Sequence, residues 1–168
     1  MALIKSISGI RGTIGGKTND NLTALDVVKF AAAYGSWLKN QALQRTGTKN
    51  KKVIIGRDGR ISGLMVKDLV NATLVSLGID VIDLDYSTTP TVEMAVQLLN
   101  ADGGIILTAS HNPKEWNALK LLNHKGEFIS GDEGKAILEL AQKESFEFAT
   151  VDELGTITTN NRDRRAHV

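Results

Sequence analysis

Gly103-Gly-Ile-Ile-Leu-Thr-Ala-Ser-His-Asn-Pro-Lys-Glu-Trp-Asn-Ala-Leu-Lys-Leu-Leu122 is the stretch that decides the fold. Gly103–Thr108 is a short apolar run, the length and character of a strand covered on both faces. Asn117–Leu122 is a second strand, closed by a turn at Asn123-His-Lys-Gly126. The link from Thr108 to Asn117 is too short for the helical crossover that parallel neighbours need. These two strands are therefore expected to run antiparallel.

Upstream the pattern alternates. Lys52-Val-Ile-Ile-Gly56 and Ile79–Leu84 read as two further strands. A helix is expected from about Asn21 to Leu43. Thr23 and Asp26 have capping-box spacing there, and Val27, Phe30, Ala31, Tyr34 and Leu38 recur on one helical face. Ser62 opens a second helix with an apolar stripe from Val66 to Leu77, and Gly78 is a natural residue just past its end. Thr89 and Pro90 read as N-cap and first helical residue of a third. Downstream, Ser130 and Glu133 have capping-box spacing and open a helix through about Lys143. Helices joined through strands in this order predict an α/β fold: a three-layer α/β/α sandwich. Its sheet is expected to be mixed and four-stranded, with strands one to three parallel and the last strand antiparallel. Residues 1–150 form the expected domain. From Val151 to Val168 the chain turns polar and reads as a linker toward a second domain.

Composition narrows the function. The chain has 168 residues, with Lys+Arg 20 against Asp+Glu 19, a net charge of +1. No basic field invites nucleic acid or an anionic membrane surface. There is no cysteine, which excludes a disulfide scaffold and Cys-ligated zinc or iron–sulfur sites and fits a cytoplasmic location. No apolar run is long enough to span a membrane, and Met1-Ala-Leu-Ile-Lys-Ser6 does not read as a secretory signal. Two Asn-x-Thr sequons, at Asn21 and Asn71, read as chance without one.

In α/β sheets, ligands bind outside the carboxyl ends of the parallel strands. Three loops fall there: Gly56–Ser62, Asp85–Pro90 and Thr108–Asn117. The third leaves a buried strand with a hydroxyl at Ser110, an imidazole at His111 and a carboxamide at Asn112. Ala109 and Ser110 are small enough for close ligand approach, and Pro113 stiffens the backbone. Such a loop suits a phosphoryl carrier, because phosphoryl transfer depends on positioning and charge neutralisation. Ser, Asn and Pro also make ordinary turns, so the spacing alone leaves both readings open. A serine hydrolase fits poorly: there is no G-x-S-x-G elbow, and adjacent Ser and His side chains diverge.

Ser8-Gly-Ile-Arg-Gly12 places Arg11 between two glycines, either as a phosphate clamp or as a solvated residue of a glycine-rich hairpin. Arg57, Asp58 and Arg60 read better as an Arg–Asp pair bracing the loop than as direct catalysts. Lys120 is a cation in an apolar strand, either beside the serine loop or facing solvent. Asp80, Asp83 and Asp85 form a carboxylate cluster without an evident third metal ligand from elsewhere. His124 and His167 read as solvated.

These pieces together resemble the first domain of the α-D-phosphohexomutases, which include phosphoglucomutase/phosphomannomutase and phosphoglucosamine mutase. Thr108-Ala-Ser-His-Asn-Pro113 resembles the family's phosphoserine loop and Ser8-Gly-Ile-Arg-Gly12 its N-terminal arginine motif. Gly56-Arg-Asp-Gly-Arg-Ile-Ser62 and Thr88-Thr-Pro-Thr91 resemble two further segments. The resemblance runs in register from Ile4 to about Thr150. It implies strand order 2-1-3-4 and an enzyme, an intramolecular phosphotransferase interconverting hexose 1- and 6-phosphates through a bisphosphate. Ser110 would carry the phosphate and give Mg²⁺ one ligand through it. Arg11 and Lys120 would stabilise the transferred charge, and His111 would contact phosphate or substrate. Ala118 stands where relatives commonly carry glycine. The family's aspartate-rich metal loop, sugar-specificity loop and C-terminal phosphate loop do not appear, so hexose phosphate is expected to bind together with further domains. The alternative, from another class, is a non-catalytic α/β module that binds a phosphorylated ligand.

Overall fold

The computed structural model describes residues 3–6, 9–46 and 51–159; Ser8 and His167 lie outside the described residues. In chain order the elements are β1 (Leu3–Ser6), β2 (Gly9–Thr13), α1 (Ala24–Thr46), β3 (Lys52–Arg57), α2 (Gly63–Ser76), β4 (Asp80–Tyr86) and α3 (Thr89–Leu98). They continue with β5 (Gly103–Leu107), β6 (Trp116–Leu122), α4 (Gly131–Lys143), a 3-10 turn (Val151–Glu153) and β7 (Ile157–Thr159).

The strands form one mixed sheet in the order β1-β2-β6-β5-β3-β4-β7. The expectation of four strands is corrected to seven among the described residues. The four strands legible as apolar runs make its centre, β4-β3-β5-β6, with β3 parallel to both β4 and β5, and β6 antiparallel to β5. The three additional strands flank this centre. β1 and β7 are the edge strands, each with one partner, where half of a strand's hydrogen bonds are missing, so neither needs an apolar run. β2 is paired on both sides, but its two glycines and Arg11 leave it without one. The glycine-rich hairpin β1–β2 pairs antiparallel onto β6. Part of the stretch read as a polar linker supplies β7, which pairs parallel with β4 through Val81, Ile82 and Asp83.

Side-chain alternation divides the core into two layers. Val53, Ile55, Ile105 and Leu107 point into a layer closed by α1, α2 and α4, with Phe30, Tyr34, Leu74 and Ile137. Ile54, Ile106 and Leu122 point the other way, onto Val92, Ala95 and Val96 of α3. This is the α/β/α sandwich.

Helix starts follow their caps. Asp26 accepts from both the backbone N–H (3.0 Å) and the hydroxyl (2.6 Å) of Thr23, so α1 begins at Ala24 rather than Asn21. Asn21 is instead drawn back, its amide donating to the Thr13 hydroxyl at 2.8 Å. Ser62 is the N-cap of α2, but makes no side-chain cap bond; its hydroxyl accepts from Asn117 at 2.9 Å. The N-cap of α3 is Thr88, one residue before the expected Thr89. Ser130 and Glu133 form the expected capping box.

Candidate active site

The carboxyl ends of β3, β4 and β5 and the start of β6 converge on one side of the sheet. Leu107 is buried at the end of β5 and the chain leaves the core at Thr108. Ser110, two residues on, is exposed and has φ +49°. That left-handed backbone is costly for a residue with a Cβ and persists only where its surroundings enforce it. The turn is closed by the Asn112 N–H on the Ala109 carbonyl (3.0 Å) and by the Ser110 N–H on the Thr108 hydroxyl (3.2 Å). The Thr108 hydroxyl in turn donates to Asp58 at 2.6 Å.

The strand pairing brings the cations to this loop. Arg11 of β2 pairs with Ala118, and Gly9 with Lys120, so Arg11 and Lys120 are diagonal neighbours on one sheet face. Gly9 is required here: a Cβ at this position would run into the Leu119 carbonyl. Lys120 Nζ donates to Ser110 Oγ at 3.0 Å. The Arg11 guanidinium rests over the Trp116 ring, 5.7 Å from its centroid, a cation–π contact that fixes its direction. Arg11, Ala109, Ser110, His111, Asn112 and Lys120 line a shallow cavity of about 270 Å³. All four expected site residues thus face one space. Arg11 belongs to the glycine-rich hairpin and also lines the cavity. Ala118 lies within regular β6 and is buried, so it causes no local irregularity.

Arg60 was legible only as a bracing residue, and its reach is longer than its own loop. Its Nε donates to Asp58 at 3.3 Å. Nη1 donates to the carbonyls of Pro113 (2.7 Å) and Trp116 (3.1 Å), and Nη2 to those of Ser110 and Asn112 (both 2.8 Å). No local spacing signals these contacts, because they join loops about fifty positions apart.

The aspartates are structural. Among the described residues no group of three His, Cys, Asp or Glu could hold a metal ion. Lys67 Nζ lies 3.0 Å from both Asp83 and Asp85, and Arg57 Nε lies 2.7 Å from Asp85. The Arg57 guanidinium also stacks on Tyr86, 4.1 Å from its centroid. A bulge between Ile55 and Gly56 lets β4 skip a residue, which turns Asp85 toward both cations. Burial alone would raise the Asp85 carboxyl, but hydrogen bonds from Lys67 and Arg57 outweigh it and hold its pKa below the usual carboxylate value. Asp80 accepts from the Thr156 N–H at 2.9 Å, next to β7. Thr88 and Thr91 are bound to each other at the start of α3. His124 is exposed in its turn, as expected.

Residues 3–148 match the phosphoglucomutase/phosphomannomutase alpha/beta/alpha domain I, and the chain belongs to that family. A phosphoglucomutase/phosphomannomutase of Thermococcus kodakarensis is 38% identical over 87% of this chain and 31% of its own length. A protein of Methanosphaera stadtmanae, described as "Probable phosphoglucosamine mutase", is 38% identical over 90% of this chain and 32% of its own. The crystal structure of a phosphoglucomutase/phosphomannomutase family protein from Burkholderia thailandensis shares the fold, with TM-score 0.79 and 24% identity. It aligns over 97% of this chain and 34% of that one. The chain thus spans about a third of the length of the relatives it matches. No helix among the described residues is long and apolar enough to cross a membrane.

Proposed function

We propose that this chain is the phosphoserine domain of a phosphohexomutase, with Ser110 as the phosphoryl carrier. The observation that carries the reading is the Ser110 hydroxyl, on a left-handed turn at the cavity wall, 3.0 Å from Lys120 and sharing that cavity with Arg11 and His111. In the forward half-reaction the bond between phosphorus and Ser110 Oγ breaks and a bond forms to a sugar hydroxyl oxygen; the proton that hydroxyl gives up ends on Ser110 Oγ, which returns as a hydroxyl. Lys120 stabilises the charge left on Oγ. Arg11 faces the transferring phosphoryl oxygens, and His111 contacts phosphate or sugar from the loop. After the bisphosphate turns round, the reverse transfer restores phosphoserine.

Magnesium fits this chain through one atom type only. The cavity presents two cations and a hydroxyl, with no carboxylate in its lining. Asp58 is nearby but engaged by Arg60 and Thr108. Mg²⁺ prefers oxygen ligands in an octahedral shell. A phosphate oxygen on Ser110 would supply one, and the remaining ligands would have to come from outside these residues, together with the groups that receive the hexose phosphate. Relatives carry both the glucose/mannose and the glucosamine names, so the substrate is a hexose phosphate or its amino-sugar counterpart.

Phosphosite mapping of the full-length protein after treatment with a hexose 1,6-bisphosphate tests the reading. One phosphate on Ser110 is the expected result. A protein that binds the bisphosphate yet leaves Ser110 unmodified would be a binding module instead.

A further inference from the structure

We infer that Arg60 is the positioning residue of the serine loop: it holds Ser110 in its left-handed turn and so aims Oγ at Lys120. A guanidinium has five N–H donors in a rigid planar fork and no acceptor. At Arg60 all five are used, one on Asp58 and four on the carbonyls of Ser110, Asn112, Pro113 and Trp116. No donor remains to hold a substrate, which separates Arg60 from Arg11. Its side chain is only 11% exposed, so it lies beneath the loop rather than in the cavity.

The four carbonyls belong to a loop whose backbone turns back on itself around Pro113, and within such a turn carbonyls cannot all find partners in a ladder. A single planar group that collects them fixes the relative orientation of residues 110, 112, 113 and 116. The left-handed Ser110 sits inside this clamp, where its conformational cost is over-determined by the surrounding bonds. Asp58 completes the frame. It anchors Arg60 from one side and the Thr108 hydroxyl from the other, and the Asp58 N–H donates to the Leu107 carbonyl at 3.1 Å. The loop of β3 therefore serves as the template on which the loop of β5 is cast.

Lysine cannot replace this group, because three donors on a point charge cannot reach four carbonyls in one plane. The test uses Arg60→Lys and Arg60→Ala with two readouts. In the 168-residue chain, ¹⁵N relaxation reports each backbone amide. Expected is a fall in the order parameters of Ser110 and Asn112, from a rigid value of about 0.85 to below about 0.6. The amides of Ile54, Ile105 and Leu121 in the central strands should stay rigid. In the full-length protein both variants should lose kcat about 100-fold, the scale of a misplaced reacting group, with KM for the hexose phosphate unchanged. A loop that stays rigid in both variants overturns the inference. So does loss of the central-strand amides along with the loop, which would make Arg60 a general stabiliser. The kcat readout rests on the phosphoserine reading. If the loop loosens but wild-type Ser110 never takes phosphate, that reading fails and the positioning role of Arg60 stands.

Discussion

At the scale of single residues, the site combines one costly backbone conformation with side chains drawn from two strands and a loop. Ser110 contributes little to the core, being exposed on a loop. Ser110→Ala keeps a Cβ at the same φ, so its strain is unchanged. Its effect on stability is expected to stay within about 0.5 kcal/mol. Mutase activity of the full-length protein should fall by orders of magnitude, because the variant has no oxygen to carry the phosphoryl group. Paired thermal melts and steady-state assays check this, and near-normal turnover in the alanine variant would refute the carrier role. Ser110, His111, Lys120 and Arg11 could be singled out in the sequence only through motifs resembling one family in register, because taken singly each also fits a turn, a hairpin or a solvent-facing strand position. Arg60 was only half legible. An Arg–Asp pair within three positions can be read locally, but four carbonyls on a loop fifty positions away cannot.

At the scale of elements, sequence periodicity served the centre of the sheet and failed at its edges. Central strands must be apolar on both faces, which marks them, whereas β1 and β7 each have one partner strand, and β2, though paired on both sides, holds two glycines, Arg11 and Thr13 around a single Ile10. Helix starts were readable to within three residues because Thr23, Thr88 and Ser130 give the first turn a side-chain acceptor, and Ser62 holds the N-cap position without one. Long-range ties between elements left no such mark. Tyr34 of α1 is fully buried and its hydroxyl reaches the sheet, donating toward the Leu122 carbonyl (2.5 Å) and accepting from the Gly104 N–H (3.0 Å). Burial pushes its pKa far up, so it stays a neutral donor throughout the folded range. Gly103 must lack a side chain, since a Cβ there would collide with this hydroxyl. Tyr34→Phe removes the hydroxyl that both buried backbone groups engage and is expected to cost about 1–3 kcal/mol, measured as a lower urea midpoint at unchanged m-value.

The ion cluster at the end of β4 gives an element-scale pH dependence. Asp85 has a folded pKa below its unfolded value of about 3.9. Its contribution to stability is therefore present above that value and is lost as pH falls through the lower, folded one. Melting temperature should drop as the solution is acidified below about pH 4. Asp85→Asn should flatten part of that drop. Identical acid limbs for wild type and variant would remove Asp85 from the account.

At the scale of the whole molecule, folding and turnover are expected to separate. The two core layers close on α1, α2, α4 and α3 within the described residues, so the 168-residue chain should fold alone. Mutase turnover by that chain alone is not expected, on three grounds. The cavity offers magnesium no carboxylate, only the oxygens of a phosphorylated Ser110. Two cations and a serine loop would contact one end of a sugar phosphate and leave its far hydroxyl and second phosphate unheld. The positioning contribution to rate, up to roughly 7–11 kcal/mol in favourable cases, is then largely forfeited. Finally, Ser110 and His111 are exposed, so water screens the charges of Arg11 and Lys120 that would act on the transferring group. A coupled assay of the purified 168-residue chain with a hexose 1-phosphate, its bisphosphate and Mg²⁺ measures this directly. Turnover of about 1–10³ s⁻¹, the ordinary range for enzymes, would mean that these residues suffice for catalysis and that the incomplete-site argument is wrong.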